Sequence, residues 1–420
     1  MKPTGGERTV ATKRHSIRTS RPRRRRWRYL LAIPGLVLAI FVWTLIGAAL
    51  TPGNQSLAAK WADYLRANHM GLVAQKFEEV YYSATAPSAG GRPKGLNKVP
   101  SVVGAPVTTT TSPQTRAKSP ASTTSTTSST TTTTAPPGLP APQPVPLVVS
   151  PALPGEGQWQ PTGPLVKGRP AMYVAQFRAD DIYTSQITSA VWVDTKLLKI
   201  QLVPGSTEPG GTWSHPPYVT PAELPYLVAA FNGGFRFQDA RGGIYLEGKQ
   251  GVPLVNGAAS LVVYKDGRVA IGSWGSQVSM SPSVVSVLQN VVLLVDHGKL
   301  APSATYTDNA IWGYTLGGGF VVPRSGIGVT ADGALVYVAG PALTAKSLAE
   351  SLQRAGAVEA MTLDINPEWV TFNFYQHTGS QVTGTKLYPE MQRSADRYLP
   401  PVDEARDFYE ILLPGAPVAG

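Results

Sequence analysis

An uncharged apolar run near the N-terminus, Tyr29 to Leu50 (YLLAIPGLVLAIFVWTLIGAAL), restricts the fold of this 420-residue chain more than any other feature. As a helix it is long enough to cross a hydrocarbon core of ~30 Å, where backbone hydrogen bonds must be made internally. A cleavable signal peptide is the alternative, but this run exceeds the usual apolar region of such peptides, and the only cleavage-like sequence, Gly47 to Ala49, lies at its end. The sequence therefore predicts an uncleaved transmembrane helix over residues 29–50, in contact with the lipid bilayer.

Positive charge predicts the orientation of this helix. Residues 1–28 contain eleven Lys or Arg and one acid, Glu7, and basic segments of this kind stay on the cytoplasmic side of a membrane. We therefore expect a single-pass protein of the cell membrane with a cytoplasmic tail (residues 1–28) and an extracytoplasmic C-terminal domain. The tail supplies +10 of the formal net charge of +11. The remainder is nearly neutral, so no nucleic-acid partner is expected.

Two segments of different composition follow the apolar run. Residues 56–82 place Leu57, Trp61, Leu65, Leu72, Phe77 and Val80 at roughly helical spacing. The predicted amphipathic helix packs on the distal domain or on a second copy, or it lies on the lipid surface; the sequence leaves both interpretations open. Residues 83–163 are rich in Pro, Thr, Ser and Ala, a composition that cannot bury enough apolar surface to fold. They are predicted to form a disordered linker.

Residues 164–420 form the predicted folded domain. The chain has no Cys, so neither disulfides nor thiolate metal sites are available to it. Strand-like runs rich in Val, Ile, Tyr and Trp cover Met172 to Phe177, Ala190 to Asp194, Leu197 to Leu202 and Tyr226 to Asn232. The turn dipeptides Asp266-Gly267, His297-Gly298 and Asp332-Gly333 predict antiparallel hairpins, and the Asp-Gly pairs favour type I′ turns.

Helices are predicted to be few. Thr220-Pro221 and Ser281-Pro282 each pair an N-cap residue with proline at the first helical position, and Thr344 opens TAKSLAESLQRAG, with Gly356 as the stop. That last helix leads into AVEAMTLD (Ala357 to Asp364), a predicted buried strand. These patterns predict an α+β fold with a mixed, mainly antiparallel sheet and few helices.

Common catalytic and metal-binding motifs are missing from the sequence. No His pair has zinc spacing, no G-x-S-x-G nucleophile elbow occurs, and the five His are scattered. No metal or cofactor is therefore predicted. Two other segments carry more information. Val228 to Phe237 (VAAFNGGFRF) is an apolar strand ending in Asn232 and two glycines, and Gly317 to Asp364 places Arg324 after a proline and Asp364 at a strand end.

Together these segments resemble the phosphodiester glycosidase family over roughly Leu197 to Tyr375, about half of the chain. The resemblance depends on the order of several motifs. A strand runs into NGGF (Asn232 to Phe235), and a VVYKDGRV hairpin precedes PRSGIGVTADG (Pro323 to Gly333). A helix ending in RAGA and a strand ending in Leu-Asp complete the set. The family usually has threonine at the position of Ser325, and this change keeps the hydroxyl group.

A larger departure from the family lies after the Leu-Asp strand. Where the family has L-D-G-G-G-S, this chain has LDINPE, Leu363 to Glu368. Ile365 is bulky, and proline fixes φ at Pro367, so these residues cannot reproduce a triple-glycine turn. Any pocket lined by backbone amides must differ here. The aspartate itself is kept.

The resemblance implies that three residues have separate roles in cleaving a sugar phosphodiester. Arg324 would bind the phosphate, Asp364 would attack C1 or activate water, and Asn232 would fix the sugar. Two simpler roles stay open: Arg324 pairs with a surface acid, and Asp364 caps the turn after its strand. Further predicted substrate-binding residues are Gly233, Gly234, Ser325, a second phosphate contact at Arg236 and a second carboxylate at Glu368.

The resulting hypothesis is a membrane-tethered, extracytoplasmic hydrolase of sugar-phosphodiester linkages in envelope glycoconjugates. The alternative is a catalytically inactive glycan-binding or scaffolding module of the envelope, in which LDINPE has ended turnover. A third hypothesis is an anchor that holds partners through the linker and the amphipathic helix. An open cleft that Asp364 shares with Arg324 and Asn232 would favour the enzyme, whereas a cleft plugged by Ile365 and Trp369 would favour the binding module. Substrate identity and oligomeric state are left open.

Overall fold

The structure is a computed structural model that describes residues 24–51, 56–74, 76–77, 80, 87–100, 138–307, 309–313 and 320–417. Most of the predicted cytoplasmic tail and the Thr-rich middle of the predicted linker, residues 101–137, lie outside these ranges. So does part of the glycine-rich segment before Phe320.

Helices are few among the described residues, as the sequence predicts. They are α1 (Arg24–Ala49), α2 (Leu57–Ala67), α3 (Phe237–Ala240), α4 (Asn309–Trp312) and α5 (Ala345–Arg354), with 3₁₀ turns at Leu224–Tyr226 and Pro302–Thr305.

Strands make up most of the regular secondary structure of the domain. They are β1 (Gln160–Val166), β2 (Arg169–Phe177), β3 (Thr188–Val193), β4 (Lys199–Val203), β5 (Leu227–Asn232), β6 (Ile244–Leu246), β7 (Lys249–Gln250), β8 (Ala259–Tyr264), β9 (Val269–Ser273), β10 (Val284–Gln289), β11 (Leu293–Asp296), β12 (Lys299–Leu300), β13 (Val322–Thr330), β14 (Leu335–Leu343), β15 (Ala357–Ile365), β16 (Phe372–Thr378), β17 (Gln381–Lys386) and β18 (Phe408–Leu412).

Three sheets form from these strands. The largest has eight strands in the order β1-β2-β3-β14-β13-β15-β11-β12, and the two others have five each, β7-β6-β10-β8-β9 and β17-β16-β5-β18-β4. Neighbouring named strands within the described part of the chain run antiparallel. The predicted α+β class with mainly antiparallel sheet is confirmed.

The eight-stranded sheet lies between two apolar layers. On one face, residues such as Tyr337 and Met361 share a core with Phe231 of a five-stranded sheet. On the other face, residues such as Val336 pack with Leu348 of α5. Adjacent residues of β14 therefore point into different layers. Because both faces are covered, the strand is a continuous apolar run without polar alternation.

Helix α5 forms where the sequence predicts it, for the predicted reason. The Thr344 side chain accepts a hydrogen bond from the Ser347 amide, and the Ser347 side chain accepts one from the Thr344 amide, which is a capping box. Gly356, with φ of 101°, follows the helix. The helix then leads into β15, which pairs with β13 and β11.

The predicted hairpins form, but their turn types differ from the expectation. In the two Asp-Gly turns only Gly267 and Gly333 have positive φ, at 84° and 93°, so these are not type I′ turns. The Gly267 amide instead donates to the Tyr264 carbonyl at 2.9 Å, as in a type I turn followed by a left-handed glycine. His297 and Gly298 both have positive φ, 49° and 74°, as a type I′ turn requires.

One predicted helix start is wrong and another gives only a short turn. Ser281-Pro282 is followed directly by β10, because the apolar residues after it continue the strand pairing with β8. Thr220-Pro221 leads to a single 3₁₀ turn. Proline at the first position permits a helix, but no apolar stripe of helical period follows at either site.

Helix α1 contains the one stretch of the described residues, Ala32–Ala49, that is long and apolar enough to cross a membrane. Its last turns pack on α2. The Trp61 indole donates to the Thr44 hydroxyl at 3.0 Å, and Leu65 is buried in the same small cluster. Helix α2 is shorter than predicted, because His69 has a positive φ of 62° and interrupts it.

Helix α2 also contacts the large domain. Asp63 forms an ion pair with Arg236, and the Ser56 amide donates to Glu368 at 2.9 Å. Of the two interpretations that the sequence left open, these contacts favour packing on the distal domain.

The predicted linker over residues 83–163 is wrong at both ends. Leu139 and Val145 are buried in the core layer that also holds α5. Glu156, which also lies in the predicted linker, forms a buried ion pair with Arg178 of the sheet domain at 2.8 Å. The Asn97 amide, in the other end of the predicted linker, donates to Gln176 at 2.7 Å. The occasional apolar residues among the prolines pack in extended backbone against the sheet, a pattern that composition alone does not reveal.

Val145→Ala should lower the free energy of unfolding of the full chain by about 2 kcal/mol, because the lost methyl groups leave a cavity. Val145 is 3% exposed, whereas Val148, in the same Pro-rich segment, is 49% exposed. Val148→Ala is the matched control and should change stability by less than about 0.5 kcal/mol. Chemical denaturation measures both. Equal, negligible effects would mean that the segment does not pack.

Candidate functional site

The turn after β5 is held by the side chain of Asn232. Its Nδ2 donates to the Ser325 hydroxyl at 3.1 Å and to the Gly233 carbonyl at 2.8 Å. Its Oδ1 accepts from the Tyr337 hydroxyl at 3.0 Å and from the Thr371 amide at 3.1 Å. The hydrogen-bonding capacity of this amide is thus used inside the protein, where it ties strands of two sheets together. The predicted sugar contact at Asn232 does not match this arrangement.

Gly233 and Gly234 allow the chain to pass close to the residues before β18. A Cβ atom on Gly233 would lie 1.8 Å from the carboxylate of Asp407, so no other residue fits there. The Gly234 amide donates to the same carboxylate at 3.3 Å. The Gly234 carbonyl accepts from Arg406 at 2.7 Å. The two glycines therefore pack directly against Arg406 and Asp407.

Asp364 meets Arg406 at this turn. Its Oδ2 accepts from the Arg406 guanidinium at 2.9 Å, and its Oδ1 accepts from the Ile365 amide at 2.7 Å. The Ser325 hydroxyl holds the Asp364 backbone, accepting from its amide and donating to its carbonyl, both at 3.1 Å. Asp364 is only 5% exposed. It lies beside Ser325 and, through Arg406, near the Asn-Gly-Gly turn, and its cationic partner is Arg406.

Burial changes the acidity of the two aspartates beside Arg406. It raises the pKa of Asp364 to about 7, against the opposing charges of Arg406 and Arg236, while the negative charge of Glu208 adds to the rise. It also raises the pKa of Asp407 to about 7, again against the charge of Arg406. Carboxyl groups poised near neutral pH are a feature of acid–base sites.

Several buried polar atoms around Asp364 have no hydrogen-bond partner among the described residues. They are Arg406 Nε, Asp407 Oδ1, Asn366 Oδ1 and Asn290 Oδ1. Asn290 belongs to the same place, because its Nδ2 donates to the carbonyls of Thr362 and Leu363, the residues just before Asp364. Native proteins leave few buried polar groups unsatisfied, and each such group requires an explanation. Arg406 contacts Asp364 and Asn290 contacts the residues before it, so donor and acceptor atoms without partners occur beside this carboxylate.

Only one residue of the LDINPE turn has the positive φ that glycine readily adopts. Asn366 has a φ of 76°, which asparagine tolerates better than most residues. Ile365 packs into the apolar layer that also holds Trp312. The Ile365 amide is used by Asp364, the Asn366 amide donates to the Pro323 carbonyl at 2.9 Å, and Pro367 has no amide hydrogen. This part of the turn therefore offers no backbone amide to an anion.

Arg324 is directed away from this site. Its guanidinium donates to the carbonyls of Leu343, Trp312 and Phe320 at 2.9, 3.1 and 3.3 Å, on the face of the sheet that α5 covers. It is 1% exposed, and burial lowers its pKa to about 10. No hydrogen bond or ion pair within the described ranges joins it to Asp364. The structure does not bring Arg324 into a cleft shared with Asp364, so this expectation is corrected, and so is the simpler one of a surface ion pair.

Arg236 lies at the outer edge of the site. It pairs with Asp63 of α2, and its charge acts on Asp364. Glu208 borders the same region, since its carboxylate accepts from the Phe237 amide at 2.9 Å. The Asp63 carboxylate of α2 thus pairs with an arginine that the sequence predicts to bind phosphate.

Glu368 belongs to a neighbouring charged cluster. Besides accepting from Ser56, its carboxylate lies 3.6 Å from Arg393. The cluster continues with Glu404, which is fully buried between Arg393 and Arg397 at 3.2 and 2.7 Å. The guanidinium groups of Arg393, Arg397 and Arg406 all lie within 6 Å of the Trp369 ring, at 5.6, 5.9 and 4.7 Å. Trp369 therefore lies against three guanidinium groups, one of which, that of Arg406, pairs with Asp364.

Sequence reasoning missed Arg406, Asp407, Glu208 and Asn290. Arg406 and Asp407 end a charged run, DEARD, directly before the apolar strand FYEIL. Charged residues at the start of a buried strand were the available signal, but they lie beyond the region of resemblance. Two groups of described His and acidic side chains are close enough to share a metal ion, and neither includes Asp364.

Comparisons with known proteins place this geometry in context. No curated protein matches the chain. Among solved structures, it is similar to the catalytic domain of zebrafish N-acetylglucosamine-1-phosphodiester alpha-N-acetylglucosaminidase auto-inhibited by pro-peptide, with 14% identity, a TM-score of 0.38, and coverage of 58% of this chain and 83% of that one. It is also similar to a hypothetical protein from Synechocystis, with 13% identity, a TM-score of 0.38, and coverage of 61% of this chain and 64% of that one.

The family model gives the clearest relation. Residues 226–364 match the model described as phosphodiester glycosidase. This match begins just before β5 and ends at Asp364, so it includes the Asn-Gly-Gly turn, β13 and β15. The predicted resemblance to the phosphodiester glycosidase family is therefore confirmed over residues 226–364.

Proposed function

We propose that this chain is a membrane-anchored phosphodiester glycosidase that hydrolyses sugar-phosphodiester linkages, with Asp364 as the reacting carboxylate. The observation that carries the proposal is the Asp364–Arg406 pair beside the Asn-Gly-Gly turn, surrounded by buried polar atoms without partners. A carboxylate and a guanidinium are the two groups that such a reaction needs most.

The proposed reaction breaks the bond between C1 of the sugar and a phosphate oxygen. A phosphate monoester leaves with the bonding electrons, and its second pKa of ~6 makes a strong general acid unnecessary. Asp364 either attacks C1 or takes a proton from the water that attacks it. In both cases Asp364 must be ionised, so its pKa of about 7 ties turnover to pH near neutrality.

Arg406 and Arg236 are the proposed phosphate-binding residues, in place of Arg324. Arg406 already lies against Asp364, and its Nε has no partner in the described residues. Arg236 is held by a carboxylate, which a phosphate group would replace. Gly233 and Gly234 provide the close backbone approach, and the free oxygens of Asn290 and Asn366 are available to sugar hydroxyls.

We further propose that α1 anchors the chain in the cell membrane, with the basic tail in the cytoplasm and the sheet domain outside. The length of the apolar stretch Ala32–Ala49 and the eleven basic residues among the first 28 support this orientation. An extracytoplasmic domain would meet phosphodiester-linked sugars in envelope glycoconjugates, which are the proposed substrates.

Asp364→Asn should reduce turnover of sugar-1-phosphodiesters by about 100- to 10,000-fold, because the amide can neither attack C1 nor accept a proton from water. The hydrogen bond from the Ile365 amide can persist, so folding should be preserved. Arg406→Lys should also lower turnover, because lysine keeps the charge but loses the planar fork. Sugar released by the detergent-solubilised full chain from a panel of diesters measures both.

Asp266→Asn and Arg268→Lys, in an exposed hairpin, are the matched controls and should leave turnover unchanged. The wild-type kcat/KM should rise as the pH rises through about 7, since Asp364 then loses its proton. Undiminished turnover in Asp364→Asn would reject the residue assignment. Glycan binding without release from any diester would favour the inactive binding module.

Asp63→Ala should lower KM for these diesters severalfold, because it removes the carboxylate that competes with phosphate for Arg236. Asn68→Ala, just beyond α2, is the control that leaves this contact intact. Arg236→Ala should raise KM in either background. Identical KM values for wild type and Asp63→Ala would show that Arg236 does not bind the substrate.

The proposed topology predicts the behaviour of reporter fusions. A reporter active only outside the cytoplasm should work when fused to the C-terminus and fail when fused at Arg26, because the basic tail stays inside. The opposite pattern in cells would reverse the orientation and place the domain in the cytoplasm.

A further inference from the structure

A second buried polar cluster, separate from Asp364, lies between strand β18 and the loop that connects β4 to β5. His215 and Glu223 belong to the loop between β4 and β5, and His215 Nε2 lies 3.0 Å from both oxygens of the Glu223 carboxylate. His215 Nδ1 lies 2.6 Å from the Pro216 carbonyl. A carbonyl only accepts, so Nδ1 carries the hydrogen and Nε2 faces the acids. Orientation of this kind by a backbone carbonyl is usual for metal-binding histidines.

Glu410 of β18 faces the same place. Its side chain is 0% exposed, and neither of its carboxylate oxygens has a hydrogen-bond partner among the described residues. One ligand atom from each of His215, Glu223 and Glu410 lies within 4.8 Å of the others. A buried carboxylate without a partner is costly, and a cation is one of the few groups that can compensate it.

We propose that His215, Glu223 and Glu410 bind a divalent metal ion of the zinc class. The two carboxylates balance a doubly positive ion, so the occupied cluster is neutral although it is buried. An imidazole nitrogen among the ligands favours Zn²⁺ and related transition ions over Mg²⁺ and Ca²⁺, which prefer oxygen ligands alone.

The spacing of the ligand atoms suits such an ion. Zinc binds nitrogen and oxygen at about 2.0 to 2.2 Å, which in a tetrahedron separates ligand atoms by about 3.3 Å. The observed separations run from 3.0 Å between His215 and Glu223 to at most 4.8 Å within the trio. Gln201 lies directly opposite Glu410 across the β4–β18 pairing. Its amide is 2.6 Å from Glu223, and rotation of that amide would present an oxygen as a fourth ligand.

The metal would have a structural role. It would link the loop that follows β4 to strand β18. The same loop also contains Glu208, which lies near Asp364. Glu410 lies three residues after Asp407 on the segment that forms the candidate site. Binding to the folded state alone would raise thermal stability, and the rise would grow with the logarithm of metal concentration. The proposal is independent of the proposed glycosidase activity.

The test uses the full chain in detergent, stripped with EDTA, incubated with Zn²⁺ and desalted. Elemental analysis should find a single tightly held equivalent, and the thermal midpoint should rise when the ion is restored. Glu410→Gln, which keeps size, should weaken Zn²⁺ binding by more than about 100-fold, beyond what loss of an outer partner costs. Co²⁺ in the wild-type protein should give the visible absorption of a low-coordinate nitrogen–oxygen site.

The control is the exposed trio Asp296, His297 and Glu359, which has similar spacing on the surface. His297→Ala should leave the retained Zn²⁺ and the Co²⁺ spectrum unchanged. Retention that His297→Ala abolishes, or that Glu410→Gln leaves unaltered, would overturn the proposal. A wild-type chain that retains no ion and shows no Co²⁺ spectrum or thermal shift would also overturn the proposal. This result comes from the wild-type chain alone, so it does not depend on whether a substituted chain folds.

Discussion

The buried ion pair between Arg406 and Asp364 joins parts of the molecule that are distant in sequence. Asp364 ends a strand in the middle of the eight-stranded sheet, and Arg406 precedes a strand in the middle of a five-stranded sheet. The same guanidinium holds Gly234, so three segments converge on one cation. Removing charges from water is costly, and such a pair persists only when further hydrogen bonds satisfy it. The glycine turn and the Ile365 amide provide some of these bonds, and the remaining atoms are open to a ligand.

Local patterns were sufficient for the predictions that proved right. The capping box at Thr344, the glycine after α5 and the apolar runs of β14 and β15 each depend on residues near in sequence. The Asn-Gly-Gly turn was identified for the same reason, because glycines at a strand end mark a close backbone approach. Its partner across that approach, Asp407, lies far along the chain, and nothing local indicated it.

The errors have a common physical origin in long-range packing. Arg324 was predicted to bind phosphate because it lies in the PRSGIGVTADG run that carries the family resemblance. Adjacent strand residues point to opposite faces, however, and of Arg324 and Ser325 only Ser325 reaches Asp364. The linker prediction failed because Val145 packs on a sheet formed by later residues. The five His looked scattered in sequence, although Glu410 comes to His215 through the pairing of β18 with β4.

The contacts of α2 limit how far the domain can lie from helix α1. The chain leaves α1, touches the domain at Arg236 and Glu368 through α2, and returns to it again at residues 87–100 and at Leu139. The described segments on either side of residues 101–137 therefore both contact the domain. With α1 in a bilayer, as proposed, the contacts of α2 would hold the candidate site close to the membrane surface.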